Sequence, residues 1–371
     1  MDHWQLTDRT DWPGLWRQFD WVRDMDNVPQ DPIHHAEGDV ATHTRMVLEA
    51  LQILPDYQAL PTGQRAILWA AALLRDVEKR STTVVEADGR ITSKGHAKIG
   101  ERTARLILYD SIPTPFYTRE AVAKLVRHHG LPLWIFEKEN PRKAVLQASL
   151  DVNTAHLALL ARADVLGRTC ADQTDLLYRI DLFEEFCREQ NCYGQPFPFA
   201  SHLTRFQYFR RDDVAPDYPL FDETETEVVL MSGLPGVGKD FYILNHHSDW
   251  PVVSLDGIRR RLGIDPTDKR GNGRVVQEAK ELARTYLRQK QPFVWNATNV
   301  TRNMRAQLID LFVTYRARVR IVYVEVPNAR RAEQNANRTY PVPEPAVSRM
   351  LEKLEVPTLW EAHDVVWAVE D

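Results

Sequence analysis

One stretch of this 371-residue chain decides the fold of its C-terminal part: Gly233-Leu234-Pro235-Gly236-Val237-Gly238-Lys239. It fits the pattern G-x-x-x-x-G-K, follows the apolar run 227–231 and opens an amphipathic segment at Lys239. Such glycines let backbone N–H groups turn towards an anion, and the helix that begins at the lysine adds its dipole. Lys239 can then reach the β- and γ-phosphates of a nucleotide. The stretch predicts a strand, a phosphate-binding loop (P-loop) and a helix, in that order.

Short β-rich runs alternate with amphipathic segments after residue 226. The predicted strands are 227–231, 251–255, 292–295 and 320–326. The predicted helices are 239–245, 257–262, 274–290 and 302–315. Such alternation predicts a parallel sheet flanked by helices, which is an α/β fold.

Residues 31–190 have a different pattern, because they are rich in Ala, Leu, Arg and Glu with apolar spacings of three and four. This pattern predicts an all-α bundle. Its predicted helices are 39–54, 63–80, 93–111, 117–129 and 142–166. Four prolines interrupt the aromatic and polar segment 191–225, which we interpret as a linker. We therefore expect two domains, residues 1–190 and 226–371.

The composition is that of a globular protein, with 43% apolar and 27% charged residues. The sequence shows no apolar run of the roughly 18 residues that a membrane helix needs and no leader-like start. We therefore expect a cytoplasmic protein with no membrane contact. Three cysteines without a C-x-x-C pair argue against a disulfide framework or a zinc knuckle. Residues 226–371 carry 21 Lys and Arg against 18 Asp and Glu, which suits an anionic partner.

The position after Lys239 departs from the usual motif. A Ser or Thr hydroxyl normally binds Mg²⁺ there, but this chain has Asp240. A carboxylate is a stronger Mg²⁺ ligand than a hydroxyl, and it brings negative charge towards the phosphates. We expect Asp240 to contact Mg²⁺ directly or through water.

Asp256 ends the second predicted strand, and Arg259 follows one helical turn later. An aspartate beside a P-loop can take the proton of a substrate hydroxyl as that hydroxyl attacks the γ-phosphorus, while Arg259 holds a substrate phosphate. Two alternatives are that Asp256 caps a helix or that it binds magnesium as a Walker-B acid. The short strand and the lack of a second acid favour the base.

Four polar residues, Arg331, Gln334, Asn335 and Arg338, fall at i, i+3, i+4 and i+7, along one side of a helix. Such arginines can close over a nucleotide and neutralise the transferred phosphoryl group, or they can simply be solvated on an exposed helix. The segment 295–302 places Asn296 and Thr298 after the third strand. We interpret them as substrate-binding residues, with capping of a helix, by Thr301 in particular, as the alternative.

Together, the segments 233–240, 255–259, 295–299 and 331–338 resemble the polynucleotide 5′-hydroxyl kinase family over most of residues 227–371. The resemblance implies ATP or another nucleoside triphosphate, Mg²⁺, and RNA or DNA ends as partners. It also implies Asp256 as general base and Arg259 as the contact to the 3′-phosphate of the 5′-terminal nucleotide. The family's lid reads Arg-Asn-x-x-Arg, but its first arginine is Gln334 here. We expect Arg331 to substitute, with Arg338 as the second arginine.

The N-terminal half carries histidines and aspartates on five predicted helices: His43, Asp76, His96, His128, His129 and Asp164. A helical bundle could gather them around divalent transition metals, although any one histidine alone is more often a satisfied core or surface residue. The segments 73–79, 95–100, 126–130 and 162–164 resemble HD-superfamily phosphohydrolases. The upstream stretch 30–44 is similar to the HD domain of some tRNA nucleotidyltransferases, so the resemblance covers roughly residues 28–170.

Arg75 stands where that family has the histidine of its His-Asp pair. A guanidinium has no lone pair to donate and repels cations, so Arg75 cannot bind a metal. Two accounts remain open. A weakened metal site retains some phosphate-ester hydrolysis, or the domain has lost catalysis and keeps a basic phosphate-binding pocket. Either account predicts diminished metal content and hydrolase activity.

An HD domain before a polynucleotide kinase domain resembles the bacterial bifunctional RNA end-healing enzymes. The resemblance implies removal of a 2′-phosphate or opening of a 2′,3′-cyclic phosphate at one end, phosphorylation of a 5′-hydroxyl at the other, and a nucleic-acid ligase as partner. One alternative is a kinase of a small-molecule alcohol or nucleoside. Another is a nucleotide-switched RNA-binding module with an inert HD half. The sequence leaves open RNA versus DNA, the metal and the oligomeric state.

Overall fold

A computed structural model of the protein describes residues 4–371. The expectation that the chain has no leader sequence rests partly on residues 1–3, which lie outside the described residues. The packing of the chain divides it into two units, Met1–Pro198 and Phe199–Asp371. Their boundary falls inside the segment 191–225 that we interpreted as a linker.

The first unit is built mainly from helices. They are α1 (Trp12–Gln18), α2 (Asp20–Arg23), α3 (Val40–Ile53), α4 (Pro55–Gln58), α5 (Thr62–Leu74), α6 (Lys79–Thr82), α7 (His96–Leu106), α8 (Phe116–His128), α9 (Leu131–Trp134), α10 (Pro141–Asp151), α11 (Thr154–Leu166) and α12 (Gln173–Glu189). The unit is not entirely helical, because β1 (Val84–Val85) and β2 (Ile91–Thr92) form a short antiparallel pair.

Two predicted helices are shorter than expected. The span 142–166 is broken at Val152, which is extended, and Asn153 then caps α11 by accepting from the N–H groups of Ala155 and His156. The span 63–80 ends at Leu74, so Arg75 and Asp76 lie in the turn that follows α5. This turn places both side chains at a buried helix end instead of along a helix face.

The core of the first unit surrounds α5 and α11. Every residue from Leu68 to Leu74 is buried, and α11 is buried over most of its length. Helices that are apolar on nearly all sides occur inside a fold instead of on its surface. Asp76 follows one of these helices and Asp164 lies near the end of the other, so both carboxylates are carried into the interior.

The second unit contains a five-stranded sheet, which confirms the predicted parallel α/β fold. Its strands are β3 (Thr226–Ser232), β4 (Val252–Ser254), β5 (Phe293–Asn296), β6 (Ala317–Glu325) and β7 (Asp364–Val369), with the order β4-β5-β3-β6-β7 and parallel pairing throughout. Its helices are α13 (His202–Tyr208), α14 (Lys239–His246), α15 (Leu255–Arg261), α16 (Lys269–Arg288), α17 (Arg302–Thr314), α18 (Asn328–Ala336) and α19 (Glu344–Leu351).

The linker prediction is wrong for part of 191–225. Helix α13 lies there, and the side chain of Ser201 caps it. Phe206 is fully buried in the core that lies against the sheet, and Arg205 donates to the carbonyl of His363 at 3.0 Å. The aromatic residues that we read as linker therefore belong to the second unit from Phe199 onward.

The carboxyl ends of the parallel strands meet at one edge of the sheet. The P-loop follows the central strand β3, Asp256 follows β4, and Asn296 ends β5. Ligands of open parallel sheets bind at this edge, so the topology alone brings the predicted residues to one place. Within residues 4–371, none of the helices is long and apolar enough to cross a membrane.

Candidate functional site

The P-loop has a backbone that only glycine adopts easily. Gly236 has φ = +87°, and a β-carbon there would lie 2.6 Å from the carbonyl oxygen of Arg331. Gly233 has φ = +142°, and a β-carbon would collide with the carbonyl oxygen of Val324. Gly238, also left-handed, directly precedes the first residue of α14. The loop therefore packs closely against its neighbours and still leads into a helix N-terminus, which suits an anion.

Lys239 is the half-buried cation of this loop. Its Nζ donates to the carbonyl oxygens of Gly233 and Leu234 at 2.9 and 2.8 Å. Burial lowers the pKa of Lys239 to about 8, and the nearby positive charge of Arg338 adds to this, while the charge of Asp240 acts in the opposite direction. Carbonyl dipoles hold this ammonium group in place, and a negatively charged ligand would stabilise its charged form. The loop thus fits a nucleotide phosphate.

Asp240 lies beside the end of β5. Asn296 Nδ2 donates to Asp240 Oδ1 at 2.6 Å, and the Asp240 side chain is exposed. The carbonyl of Thr298 accepts a hydrogen bond from the N–H of Gly233 at 2.9 Å, so this segment also supports the P-loop backbone. Carboxylate and amide oxygens are ligands that Mg²⁺ accepts, and Asp240 therefore fits a magnesium ion held between the protein and phosphates.

Asp256 and Arg259 form an ion pair on α15. Asp256 is not the helix cap, because Ser254 fills that role by accepting from the N–H of Gly257 at 3.1 Å. Arg259 also donates through Nε to Asn272 Oδ1 at 3.0 Å, which fixes the direction of its side chain. The side chain of Asp256 is 58% exposed. A solvent-accessible carboxylate beside a fixed guanidinium is available to a substrate.

The predicted lid differs from the single helix face that the spacing of its residues predicted. Helix α18 ends at Ala336, so Arg338 lies beyond it. Arg331 is 4% exposed, and its guanidinium contacts Asn328 at 2.7 Å and Glu344 at 3.1 Å. A substitution of Arg331 for the missing lid arginine does not fit, because the guanidinium would have to leave both partners. Of the two arginines predicted for the lid, Arg338 is the one whose positive charge lowers the pKa of Lys239.

The other two predicted members of α18 bind different segments. Asn335 is buried and exchanges hydrogen bonds with the backbone of Val342, at 2.8 and 3.1 Å. With its amide oriented to satisfy both neighbours, Gln334 donates to the carbonyl of Gly236 at 2.5 Å and accepts from Arg330. The helix is therefore fastened to the loop by Gln334, which the sequence pattern suggested for the nucleotide, whereas Asn335 binds the segment that follows the helix.

Sequence reasoning missed a buried network that stabilises the same edge. Asn299 has φ = +43° and donates to the carbonyl of Met231 at 2.8 Å. Arg305 is fully buried and makes two hydrogen bonds to Glu361, at 2.8 and 3.0 Å. Thr301 caps α17, as predicted. An Asn followed by a capping Thr was the visible signal; the Arg305 pair joins positions 56 residues apart and leaves no local pattern.

In the first unit the structure gathers five of the six predicted histidines and aspartates. His43 Nε2 lies 3.0 Å from Asp164 Oδ1 and 3.9 Å from Asp76 Oδ2. The Nε2 atoms of His96 and His129 lie 3.5 and 3.8 Å from the other oxygen of Asp76. Asp76 therefore lies between two groups of ligands, and we call all five residues the His–Asp cluster.

His128 is not part of this cluster, which corrects one of our expectations. Its Nε2 lies 3.2 Å from Asp151 Oδ2, whereas the ring of the next residue, His129, contacts His96. Helix α8 ends at His128, and two consecutive residues at a helix end point in different directions. The sequence could not distinguish these neighbours.

Arg75 lies inside the cluster and is fully buried. Its Nε donates to Asp164 Oδ1 at 2.9 Å, its Nη1 donates to the carbonyl of Ala72 at 2.7 Å, and Nη2 lies 3.4 Å from Asp76 Oδ2. The guanidinium therefore occupies the side of the cluster that His43, Asp76 and Asp164 would offer to a cation. This arrangement agrees with the expectation that Arg75 opposes metal binding there.

Charges decide the protonation of the cluster. Burial alone would raise the pKa of Asp76, but Lys79 and Arg75 outweigh it and hold that pKa well below its usual value. Burial acts in the same direction on Asp164, and Arg168 and Arg75 again lower its pKa well below the usual value. Burial lowers the pKa of His129 to about 4. The carboxylates are thus ionised and His129 is neutral at pH 7.

A cavity of about 350 Å³ opens beside the cluster. Its lining includes His96, the cations Lys79 and Arg168, His35, and the ring of Trp134. Sequence reasoning did not select Lys79, His35 or Arg168 as site residues. It also passed over Glu37, which lies 2.8 Å from both His35 and His43, although His35 and Glu37 are in the stretch that carries the family resemblance.

Comparisons with known proteins concern the second unit. The sequence profile of a family described as an AAA domain matches residues 228–357. The matched segment includes the P-loop and the strands β4, β5 and β6. A solved structure from Chloroflexus aurantiacus, provisionally described as a kinase, is 14% identical and covers 40% of this chain and 86% of its own, with a TM-score of 0.32. No curated protein matches the sequence.

Proposed function

We propose that the second unit transfers the γ-phosphate of ATP, or of another nucleoside triphosphate, to the 5′-hydroxyl of an RNA or DNA end. The observation that carries this proposal is the Asp256–Arg259 pair at the same sheet edge as the P-loop. It joins an accessible carboxylate to a guanidinium with a fixed direction, which suits a substrate that presents a hydroxyl and a phosphate together.

The residues of this edge have separate tasks in the reaction. Lys239 and the N–H groups of the P-loop bind the β- and γ-phosphates. Asp256 accepts the proton of the substrate's 5′-hydroxyl. The oxygen of that hydroxyl forms a bond to the γ-phosphorus. The bond from that phosphorus to the bridging oxygen breaks, and the nucleoside diphosphate leaves. Arg259 holds the 3′-phosphate of the terminal nucleotide, and Arg338 supplies positive charge near the transferred group.

Asp240 and Asn296 are the residues that would hold Mg²⁺, because Asp240 directly follows Lys239, Asn296 contacts Asp240, and both offer oxygen ligands. Bound Mg²⁺ supplies neutralisation of the phosphate charge. Asn296 donates to Asp240 and so fixes which carboxylate oxygen is left for the ion. Thr298 supports the loop through its backbone, and we keep it as a substrate-side residue on position alone.

The first unit is proposed to act on the other kind of end, a 2′-phosphate or a 2′,3′-cyclic phosphate. Its support is the family resemblance together with the geometry of the His–Asp cluster beside a cavity that carries cations. Arg75 weakens this activity, because it pairs with the carboxylates that a first metal would use. A nucleic-acid ligase is the partner that would consume the healed ends.

Labelled γ-phosphate transfer tests the kinase proposal. The full chain is incubated with labelled ATP, Mg²⁺ and 5′-hydroxyl RNA or DNA strands, and in parallel with free nucleosides. We expect labelled strands, and a loss of about 10²- to 10⁴-fold in Asp256→Ala, as is usual when a general base is removed. Asp265→Ala is the matched control, because the Asp265 side chain is exposed and its described hydrogen bonds go to the neighbouring Thr267.

Three outcomes would contradict the proposal in different ways. Transfer to nucleosides without transfer to strands would assign the unit to small-molecule kinases, and Arg259 would then have no phosphate to hold. Salt-dependent RNA binding without labelled product would indicate a nucleotide-switched binding module. Equal turnover by the parent and Asp256→Ala would remove Asp256 from the mechanism.

A further inference from the structure

Helix α15 carries a further arginine, Arg260, directly after the one that we assign to the substrate. Asp256 and Arg260 are four residues apart, so they lie on the same face of this helix, about 6 Å apart along its axis. Arg259 is on that side as well, since it pairs with Asp256. Arg261 points elsewhere and forms an ion pair with Glu278 of α16. Arg260 therefore extends the surface that begins at Asp256.

Arg260 lies against an aromatic ring instead of a carboxylate. Its guanidinium carbon is 5.4 Å from the centre of the Tyr340 ring, Arg260 is exposed, and Tyr340 is 65% exposed. Within the described residues, no carboxylate pairs with Arg260 and no group accepts a hydrogen bond from its side chain. Its neighbours Arg259 and Arg261 both have a carboxylate partner. The N–H donors of Arg260 are thus available to an anion from outside.

Tyr340 is part of an anchored loop. This loop, residues 337–341, follows α18, and we call it the Tyr340 loop. Asn335 is buried and exchanges hydrogen bonds with the backbone of Val342, at 2.8 and 3.1 Å, so the base of the loop is closed. The ring of Tyr340 nevertheless faces solvent. Packing in the core therefore does not explain why an aromatic side chain stands at this position.

The Tyr340 loop connects the two sides of the kinase site. Arg338 on this loop is close enough to Lys239 of the P-loop for its charge to lower the pKa of that lysine. Two residues later, Tyr340 contacts Arg260 of α15. Because α15 also carries Asp256, the loop extends from the phosphates of the nucleotide to the acceptor. A strand whose 5′ end is at Asp256 would leave the site beside Arg260 and this loop.

An exposed aromatic ring beside an unpaired guanidinium suits a single-stranded nucleic acid. Bases stack on aromatic rings without regard to sequence, and arginines contact the phosphates of the backbone. The guanidinium of Arg260 covers one face of the Tyr340 ring and leaves the other face for a base. An acceptor of one nucleotide has a single phosphate, which Arg259 holds, and it has neither a phosphate nor a base for the second pair.

We propose that Arg260 and Tyr340 form the site of the second nucleotide of the acceptor strand. Arg260 binds the phosphate that follows the one on Arg259, and Tyr340 stacks with the second base. This inference rests on the proposed kinase function and deepens it, because it makes the preferred acceptor a single strand of at least two nucleotides. Strand binding is measured without transfer, so the inference and the kinase function can fail separately.

Transfer to a short and a long acceptor tests the stacking. The full chain is incubated with labelled ATP, Mg²⁺ and either adenosine 3′-phosphate or a 5′-hydroxyl adenylate hexamer. We expect kcat/KM to be at least about fivefold higher for the hexamer, the lower end of the gain from stacking one base. Tyr340→Ala should bring this ratio close to one by raising the KM for the hexamer. Tyr340→Phe keeps the ring and should restore most of the ratio.

Binding of the hexamer without nucleotide tests the phosphate contact. Fluorescence anisotropy of a strand labelled at its 3′ end gives the Kd at several salt concentrations. Arg260→Ala should weaken binding and reduce the slope of log Kd against log salt by about 0.7, the value for one phosphate contact on a single strand. Arg261→Ala is the matched control and should keep the slope of the parent, because Arg261 pairs with Glu278.

The outcomes separate this inference from the function on which it rests. Transfer by the parent to both acceptors with equal kcat/KM would overturn the second-nucleotide site and leave the kinase function standing. Equal slopes for Arg260→Ala and Arg261→Ala would overturn the phosphate contact. No labelled product from either acceptor, together with hexamer binding that weakens in Tyr340→Ala, would remove the kinase function and still support the strand site.

Discussion

The P-loop holds a half-buried cation and the His–Asp cluster a fully buried one, and they compensate its charge differently. Lys239 donates to two backbone carbonyls, and burial lowers its pKa to about 8. Arg75 is fully buried, and carboxylates of Asp164 and Asp76 face it directly. The first cation gains most from an incoming anion, whereas the second is already neutralised. In this protein the cation without a direct carboxylate partner is the one at the predicted nucleotide site.

The largest effect that would sharpen this comparison is on stability. We expect Arg75→Ala to lower the free energy of unfolding by about 3 kcal/mol, the lower end for a broken buried ion pair, because Lys79 and Arg168 still face the carboxylates. Zn²⁺ should restore part of this loss, since the cation that lies between His43, Asp76 and Asp164 is then absent. Calorimetric unfolding with and without Zn²⁺ measures both quantities.

Arg305→Ala is the control from the second unit. It also breaks a buried pair, with Glu361, but this site has no histidines beside it in the described contacts. We expect a similar loss of stability and no added recovery with Zn²⁺ beyond that of the parent. Equal recovery in both variants would show that zinc acts elsewhere and would break the comparison.

A smaller effect concerns Mg²⁺ at the P-loop. Asp240→Ala should raise the Mg²⁺ concentration for half-maximal phosphoryl transfer about tenfold, which is about 1.4 kcal/mol of binding free energy. Asp240→Ser, which restores the usual hydroxyl, should need less Mg²⁺ than the alanine variant. Titration of initial rates with Mg²⁺ measures this. Asp249→Ala is the control, because Asp249 is exposed and lies in the loop after α14. An unchanged Mg²⁺ requirement would show that Asp240 does not bind Mg²⁺ and only accepts the hydrogen bond from Asn296.

The smallest effect is the uptake of protons on nucleotide binding. With the pKa of Lys239 at about 8, half of the free protein carries a neutral Lys239 at pH 8, and nearly all of it is charged at pH 6.5. Phosphates favour the charged form and raise the pKa. ATP binding should therefore take up about half a proton per site at pH 8 and almost none at pH 6.5. Calorimetry in buffers of different ionisation enthalpy gives this number.

Lys239→Met should abolish that uptake while other protonation changes persist. Proton uptake of equal size in Lys239→Met would show that another group titrates. Proton release by the parent at pH 8 would mean that the ammonium group of Lys239 does not contact the phosphates. Lys239 would then be a cation without an anionic ligand, as Arg75 is.

Parts of the fold and of the site followed from local sequence. The P-loop was predictable because its glycines act on their own backbone, and the alternation after it predicted the parallel sheet. Strand β7 escaped notice although Val365, Val366 and Val369 are β-branched. Helix α13 was hidden by prolines around an aromatic run, and only the burial of Phe206 shows that it belongs to the core.

The long-range contacts were not predictable in the same way. The sequence pattern placed Arg331 and Arg338 in one stripe, but α18 ends between them. Arg331 forms an ion pair with Glu344. It named His128 and His129 together, and only the packing of α7 against α8 selects His129. Each of these choices depends on a partner far away in the chain.

By itself, the sequence determined a phosphate-binding loop at residues 233–239 and the residue types of a metal cluster, because backbone freedom and ligand chemistry are properties of single residues. The tertiary structure decided which carboxylate oxygen faces the histidines and which faces Arg75. It also decided that Lys239 lies near Arg338 and donates to backbone carbonyls instead of forming an ion pair like that of Arg75. The compensation of a buried charge depends on all charged and polar groups close to it. Those from distant segments of the chain come close only when the chain has folded.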